Sequence, residues 1–194
     1  TSILIFKGGV LKFLSHIQIG GNHFTQAIVQ KLNVTFDLAE DIKKSHGSAI
    51  QDHRSQEEVL IKKEEVYSPV RREVVYQAIA PEIERLVGSV QMTIKESGLY
   101  DQINGGITFI GGGSLLPGLI EKIGQDVNMS ARLGKINGVF QRSLCNAAVY
   151  SPVIGVAVQG YLNARAFLSN GESEEANWTK RVSNKLKELY FEYF

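Results

Sequence analysis

The sequence predicts an α/β fold in which a mixed core carries a smaller inserted α+β unit and a C-terminal amphipathic helix. Three observations carry that prediction. Apolar runs on either side of Gly8-Gly9 open the chain as a hairpin. A strand-to-helix stretch centred on three adjacent glycines follows a hundred residues later, at Gly105–Leu119. Between them lies a charged, weakly patterned segment that runs into one long amphipathic helix.

Taken in order, Ile3-Leu4-Ile5-Phe6 and Val10-Leu11-Lys12-Phe13-Leu14 read as two strands across a tight glycine turn. The second is expected to continue through Ile17 and Ile19 to Gly20-Gly21. Asn22 is then placed to N-cap a helix carrying Phe24, Ile28 and Leu32 at helical spacing. A second helix is expected from about Asp37 to His46, with Gly47 as its C′ residue. Charge crowds around Val59-Leu60-Ile61, which suggests an exposed extended segment with one or two strands. Pro69 and Arg71-Arg72 introduce a helix to about Ser97, with Val75, Ile79, Ile83, Leu86, Val90 and Ile94 on one face. Pro81 sits inside that pattern and is expected to kink or divide it, and Gly98 to stop it. After the glycine stretch come a helix through Leu119, Ile120 and Ile123, a strand within Val127 to Val139, and a last core helix from Pro152 to Leu168.

Composition narrows the function classes. The 194 residues are 43% hydrophobic with a net charge of +1, which describes a soluble globular protein without an overall basic signal for nucleic acid. A single cysteine, Cys145, excludes an internal disulfide framework and fits a reducing compartment. His16, His23, His46 and His53 show no metal-ligand spacing, so no metal site is expected from them. Apolar runs are too short to cross a bilayer.

Two stretches carry chemistry. In Gly105–Leu119, three glycines permit close backbone approach and positive φ, and a following helix start, with Pro117 near its first turn, aims N–H groups over the bend. That arrangement seats a nucleotide, or it is a tight strand-to-helix turn with no ligand. The second stretch is the tail. A polar, acidic segment at 169–176 reads as a flexible linker. Beyond it, at about 100° per residue, Trp178, Val182, Leu186, Leu189, Tyr190, Tyr193 and Phe194 share one side, bordered by Lys180 and Arg181. Aromatics flanked by cations suit a helix lying in a membrane interface; a helix docked on its own domain is the alternative.

These residues together resemble the C-terminal half of the FtsA family, the bacterial cell-division branch of the actin-like ATPases. Phe6-Lys7-Gly8-Gly9 through Gly20-Gly21-Asn22-His23-Phe24-Thr25 is similar to that family's hairpin and helix start, and Ala39-Glu40-Asp41-Ile42-Lys43-Lys44-Ser45-His46-Gly47 to its next helix. Ile107–Leu119 resembles its adenosine motif, and Trp178-Thr179-Lys180-Arg181-Val182 its membrane-targeting tail. Four such segments in order make the resemblance specific. The resemblance implies an actin-like (ribonuclease H-like) ATPase subdomain at 1–47 and 101–168, an inserted subdomain at 48–100 and the tail helix at 177–194.

It also implies ATP with magnesium as the ligand of the whole protein. Gly112, Gly113 and Ser114 would face the adenosine and α-phosphate, while Glu40 and Lys43, three apart on one helix face, would serve ribose and adenine as acceptor and donor. From spacing alone, Glu40 and Lys43 are equally a solvated ion pair. The implied role is an adaptor: it polymerises and ties FtsZ, through that protein's C-terminal tail, to the anionic inner face of the cytoplasmic membrane at the septum, among other division proteins and with no nucleic acid. Membrane contact would fall to Trp178, Val182, Leu186, Leu189, Phe194, Lys180 and Arg181. Arg71, Arg72 and Arg85 of the insert would meet the acidic, apolar FtsZ tail. In this family the first phosphate loop and catalytic carboxylates precede the counterpart of Thr1, so this chain is expected to form one wall of the cleft and to hydrolyse nothing alone. Two positions depart from the pattern: Ala27 replaces a common aspartate, and Glu82 follows Pro81 where arginine is frequent. A working actin-like ATPase or sugar-kinase-type enzyme, and a pilus-assembly actin-like scaffold, remain as alternatives.

Overall fold

The structure, a computed structural model, describes residues 1–51, 56–63, 66–135 and 147–169. The chain divides into two compact units, Thr1–Gly134 and Lys135–Phe194. The first unit opens with β1 (Ser2–Lys7) and β2 (Val10–His16), paired antiparallel. Gly8 and Gly9 both have positive φ, 58° and 77°, the two-residue turn whose twist matches the strands it joins. β2 stops at His16, short of the expected Ile19. Beyond it the Ile17 N–H donates to the Thr1 carbonyl at 2.8 Å, and the Thr1 hydroxyl donates to the Ile19 carbonyl at 2.6 Å.

Helix α1 (Gly21–Leu32) starts from Gly20, so the expected capping role of Asn22 is not realised. The Gly20 N–H instead donates to Nδ1 of His23 at 3.2 Å, a side chain reaching back over the first turn. Helix α2 (Phe36–His46) is capped by Thr35, whose hydroxyl accepts from the Leu38 N–H. Gly47 ends it with φ −70° and ψ 143°, not in the left-handed conformation expected of a C′ glycine. Space is the reason for glycine there: a Cβ would lie 2.5 Å from the Lys43 carbonyl oxygen and 3.0 Å from Leu116.

The charged segment forms a hairpin of β3 (Glu58–Lys63) and β4 (Val66–Arg71), with Leu60 opposite Pro69. Ile61 is buried and Val70 packs against the core, which anchors the hairpin, while Leu60 and Tyr67 are exposed. Helix α3 (Arg72–Glu96) then runs unbroken through Pro81, so the proline does not divide it. All six apolar positions expected on its inner face are buried. They meet Phe24 and Ile28 of α1, Ile42 of α2, and Leu119, Ile123 and Val127 from the helix that follows the glycine stretch. At about 1.5–3 kcal/mol for each such side chain buried, this shared core is the main source of stability for the unit.

The last part of the unit is a strand–helix–strand crossover. β5 (Ile107–Phe109) and β6 (Ala131–Leu133) pair in parallel, joined through α4 (Leu119–Val127). Ile107 and Phe109 are half-buried. α4 approaches β6 closely at Gly124, where a Cβ would come within 2.9 Å of the Ala131 side chain. In the second unit, α5 (Ala147–Ser169) includes Pro152 and starts five residues earlier than expected. Ala148 is buried, but Val153 and Val156, expected to be core, are exposed. None of the described helices is long and apolar enough to cross a membrane.

Candidate functional site

The most organised polar group among the described residues lies between α1 and α2. Thr25 falls on the apolar stripe of α1, where Phe24, Ile28 and Leu32 are also buried, and is itself fully buried. Its hydroxyl lies 2.5 Å from Oε2 of Glu40 and 3.1 Å from the Gly21 carbonyl. Lys43 reaches into the same place. Its ammonium donates to Glu40 Oε2 at 2.6 Å, to the Thr25 hydroxyl at 2.9 Å and to the Gly21 carbonyl at 3.2 Å. Those three acceptors take all three protons of the ammonium. Glu40 Oε1 is held more loosely, 3.5 Å from the exposed Lys44 ammonium. Burial works against ionisation of Glu40. Hydrogen bonds from Lys43 and Thr25, with the charges of Lys43 and Lys44, outweigh it and hold the carboxyl below its ordinary value.

The glycine stretch forms differently from expectation. Gly111 takes φ 90° and ψ 165°, a conformation open in practice only to glycine. A 3-10 turn, Gly112–Leu115, follows, and α4 begins only at Leu119, with Gly118 and not Pro117 at its entrance. Gly112 and Gly113 are exposed at the start of that short turn. Ser114 is buried, and its hydroxyl donates to the Gly111 carbonyl at 2.6 Å, bracing the bend from inside. The loop is tied to the end of α2. The Ala49 N–H donates to the Pro117 carbonyl at 2.7 Å, and a Cβ on Gly118 would strike Ile50 at 2.6 Å. Gly47, at the foot of this contact, is four residues from Lys43, roughly 6 Å along the helix. The glycine turn and the Glu40–Lys43 pair are therefore mounted on one connected support.

The arginines are not gathered. Arg71 is exposed at the start of α3. Arg72 faces Glu57 at 3.5 Å, and Arg85 donates to both oxygens of Glu82 at 2.8 Å. Arg72 and Arg85, thirteen residues apart on one helix, lie roughly 20 Å apart along its axis and about 140° apart around it. The tail residues Trp178, Lys180, Arg181, Val182, Leu186, Leu189 and Phe194 lie outside the described residues, as does Cys145. Among the titratable groups nearby, His46 closes α2 with a buried Nδ1 that finds no partner among the described residues. Burial, then the charge of Arg72, pushes its pKa down.

Reasoning from sequence missed Thr25 as a member of the polar group. The signal was present: a hydroxyl seven residues before Leu32 lies within about 20° of it on the helical wheel, at an inward position.

The model of the family described as "Cell division protein FtsA" matches residues 1–157 of this chain. The chain belongs to the FtsA family. Cell division protein FtsA of Borreliella burgdorferi is 29% identical over 194 residues, covering 96% of this chain and 44% of that protein. The Pseudomonas aeruginosa protein of the same name is 29% identical over 167 residues, 82% of this chain and 39% of its own length. This FtsA-family chain thus spans less than half the length of these curated relatives. Among solved structures, MreB5 of Spiroplasma citri bound to ADP superposes with a TM-score of 0.65 at 17% identity, covering 88% of this chain and 52% of that one. The same protein bound to AMPPNP gives a TM-score of 0.63, also at 17% identity, over 86% of this chain and 52% of that chain. The fold is actin-like, as expected. Family membership sets aside the sugar-kinase and pilus-scaffold alternatives.

Proposed function

We propose that this FtsA-family chain forms one wall of an adenine-nucleotide cleft in a division protein that self-associates and links FtsZ to the membrane. The observation that carries the nucleotide part is the mounting of an ionised carboxylate on α2 and of an exposed glycine turn against the segment that leaves α2. A carboxylate kept ionised by Lys43 accepts hydrogen bonds from nucleoside hydroxyls. Open backbone at Gly112 and Gly113 lets a flat or anionic group approach where a Cβ would obstruct it. That the fold neighbour MreB5 of Spiroplasma citri has been solved with ADP and with AMPPNP supports the reading. Ser114 braces the turn in this arrangement; its hydroxyl is already engaged by Gly111.

ATP fits these groups on its adenosine side. The described residues bring no three His, Cys, Asp or Glu side chains together, so magnesium is assigned no ligand here. The chain's own share is recognition: to accept from hydroxyls at Glu40 and to let phosphate approach the glycine backbone. Nucleotide-dependent closure would then set the state of an actin-like filament.

The insert at 48–100 is the proposed seat of the FtsZ tail, an acidic and apolar peptide. Arg71 is the candidate best placed to meet it, because Arg72 and Arg85 already face carboxylates. The proposed membrane link is the 177–194 helix, reached across the 169–176 linker, at the cytoplasmic face of the septum. The test is titration of the chain with ADP, followed by amide chemical shifts. Perturbations at Glu40, Lys43, Gly112 and Gly113 are expected; shifts elsewhere, or none at millimolar ADP, would overturn the nucleotide reading. The membrane role is checked separately. Vesicles containing anionic lipid should sediment the chain, and Trp178→Glu with Leu189→Glu should abolish it. Equal sedimentation of the variant would sink the claim.

A further inference from the structure

Resting on the nucleotide reading above, we infer that Thr25 is a positioning residue for this site and Lys43 its strut, so that Glu40 Oε1 alone meets the ligand. The site would accordingly take a hydroxyl donor and turn away an acceptor. Counting protons leads there. Lys43 has three, and the Gly21 carbonyl, the Thr25 hydroxyl and Glu40 Oε2 occupy them at 3.2, 2.9 and 2.6 Å. No proton of the ammonium is left to donate to a base or a ribose, contrary to the donor role the family resemblance implied for it.

Thr25 has one proton and two acceptors in range. The charged carboxylate at 2.5 Å outcompetes the Gly21 carbonyl at 3.1 Å, which Lys43 also serves. Its hydroxyl therefore accepts from Lys43 and donates to Glu40, so that Oε2 takes one hydrogen bond from Thr25 and one from Lys43. Pinning one carboxylate oxygen by two donors sets the plane of the group and leaves Oε1 with only the long contact to Lys44 among the described residues. Without the Thr25 hydroxyl, Glu40 could turn and share both oxygens with the lysines, and the free acceptor would be lost. The γ-methyl and burial of Thr25 hold this geometry rigidly, since a β-branched residue in a helix has few χ1 choices.

The experiment compares the wild-type chain with Thr25→Val, which keeps shape and removes the hydroxyl, and Thr25→Ser, which restores it. Thr25→Ala serves as a second hydroxyl-free variant should the valine form fail to fold. The first readout is the side-chain carboxyl carbon shift of Glu40 against pH, without ligand. Wild type and Thr25→Ser are expected to titrate together, and Thr25→Val at higher pH. The second is the ratio of affinities for ADP and 2′,3′-dideoxy-ADP, measured by shift titration. Wild type and Thr25→Ser should favour ADP by about tenfold, one charge-assisted hydrogen bond, and Thr25→Val should show little preference. A purely structural role would weaken both nucleotides equally and leave the ratio alone. Unchanged carboxyl titration in Thr25→Val overturns the positioning role whatever the nucleotide result. A wild-type chain that binds neither nucleotide overturns the nucleotide reading and the task assigned to Oε1, while the carboxyl titration still judges Thr25.

Discussion

Two pairs in this molecule have the same spacing and nearly the same length, yet they are different physical objects. Glu40–Lys43 and Glu82–Arg85 are both i,i+3 pairs on a helix, 2.6 and 2.8 Å between charged atoms. The Lys43 side chain is 13% exposed, the Arg85 side chain 62%. Lys43 also bonds to Thr25 and to the Gly21 carbonyl, which join its pair to a second helix. Arg85 bonds only along its own helix, to both oxygens of Glu82, among the described contacts. Water competes freely for Arg85 and hardly at all for Lys43. A local pair becomes a site when a neighbouring element supplies the remaining partners and excludes solvent.

Removing the cation from each pair should separate them by a wide margin. Lys43→Met leaves a part-buried carboxylate, a hydroxyl and a carbonyl short of donors. It is expected to lower the unfolding free energy by about 2–3 kcal/mol, measured by urea denaturation. A loss near zero would show the α1–α2 group to be no different from a surface pair.

The acid limb sharpens the same contrast. Because the Glu40 pKa is held below 4.5 in the folded chain, its contribution is present above that value. It is lost as pH falls through the lowered folded pKa. Wild type should therefore lose more stability on acidification below 4.5 than Lys43→Met does, read from urea midpoints across that range.

Between the two extremes stands Lys122, which bridges α4 to α3 through Glu84 at 2.8 Å and meets Asp126 at 3.2 Å. The hydrogen bond to Glu84 is the main cause of its raised pKa, followed by opposing burial and then by Asp126. Stability from this group is full below 10.5 and declines as pH rises through the folded value. Lys122→Gln should cost about 1 kcal/mol at neutral pH and flatten the alkaline limb of thermal unfolding. The smallest effect belongs to Arg85→Gln, below about 1 kcal/mol and reduced further by salt. A loss matching that of Lys43→Met would erase the distinction between the pairs.

Much of the fold was legible beforehand. Glycine turns, the inner face of α3 and the α2 boundary follow from period and residue type, which act over a few neighbouring residues. The hairpin at Gly8-Gly9 required no tertiary knowledge, because two adjacent glycines at a strand reversal select their own turn. Where the expectations failed, the competing force came from outside the local window. Gly47 was expected as a left-handed cap, and it is glycine because Leu116 and the Lys43 carbonyl leave no room for a Cβ. Pro117 was expected to open a helix that Gly118 delays, since the intervening loop is bound to Ala49 and Ile50. The hydroxyl of Ser114 was expected to face outward, and the positive-φ bend at Gly111 brought its own carbonyl within reach of it.

Residue types and spacing, read alone, determined the α/β class, the positions of the helices and the presence of Glu40 and Lys43 on one face. They carried the family resemblance as well, since motif order survives in the linear chain. Which oxygen of Glu40 is held, and whether Lys43 has a proton to spare, depended on Thr25 and Gly21. Those residues lie 15 to 22 positions away and meet α2 only after α1 has packed against it. Hydrogen-bond direction and solvent exclusion arise from that packing, and no local pattern encodes them.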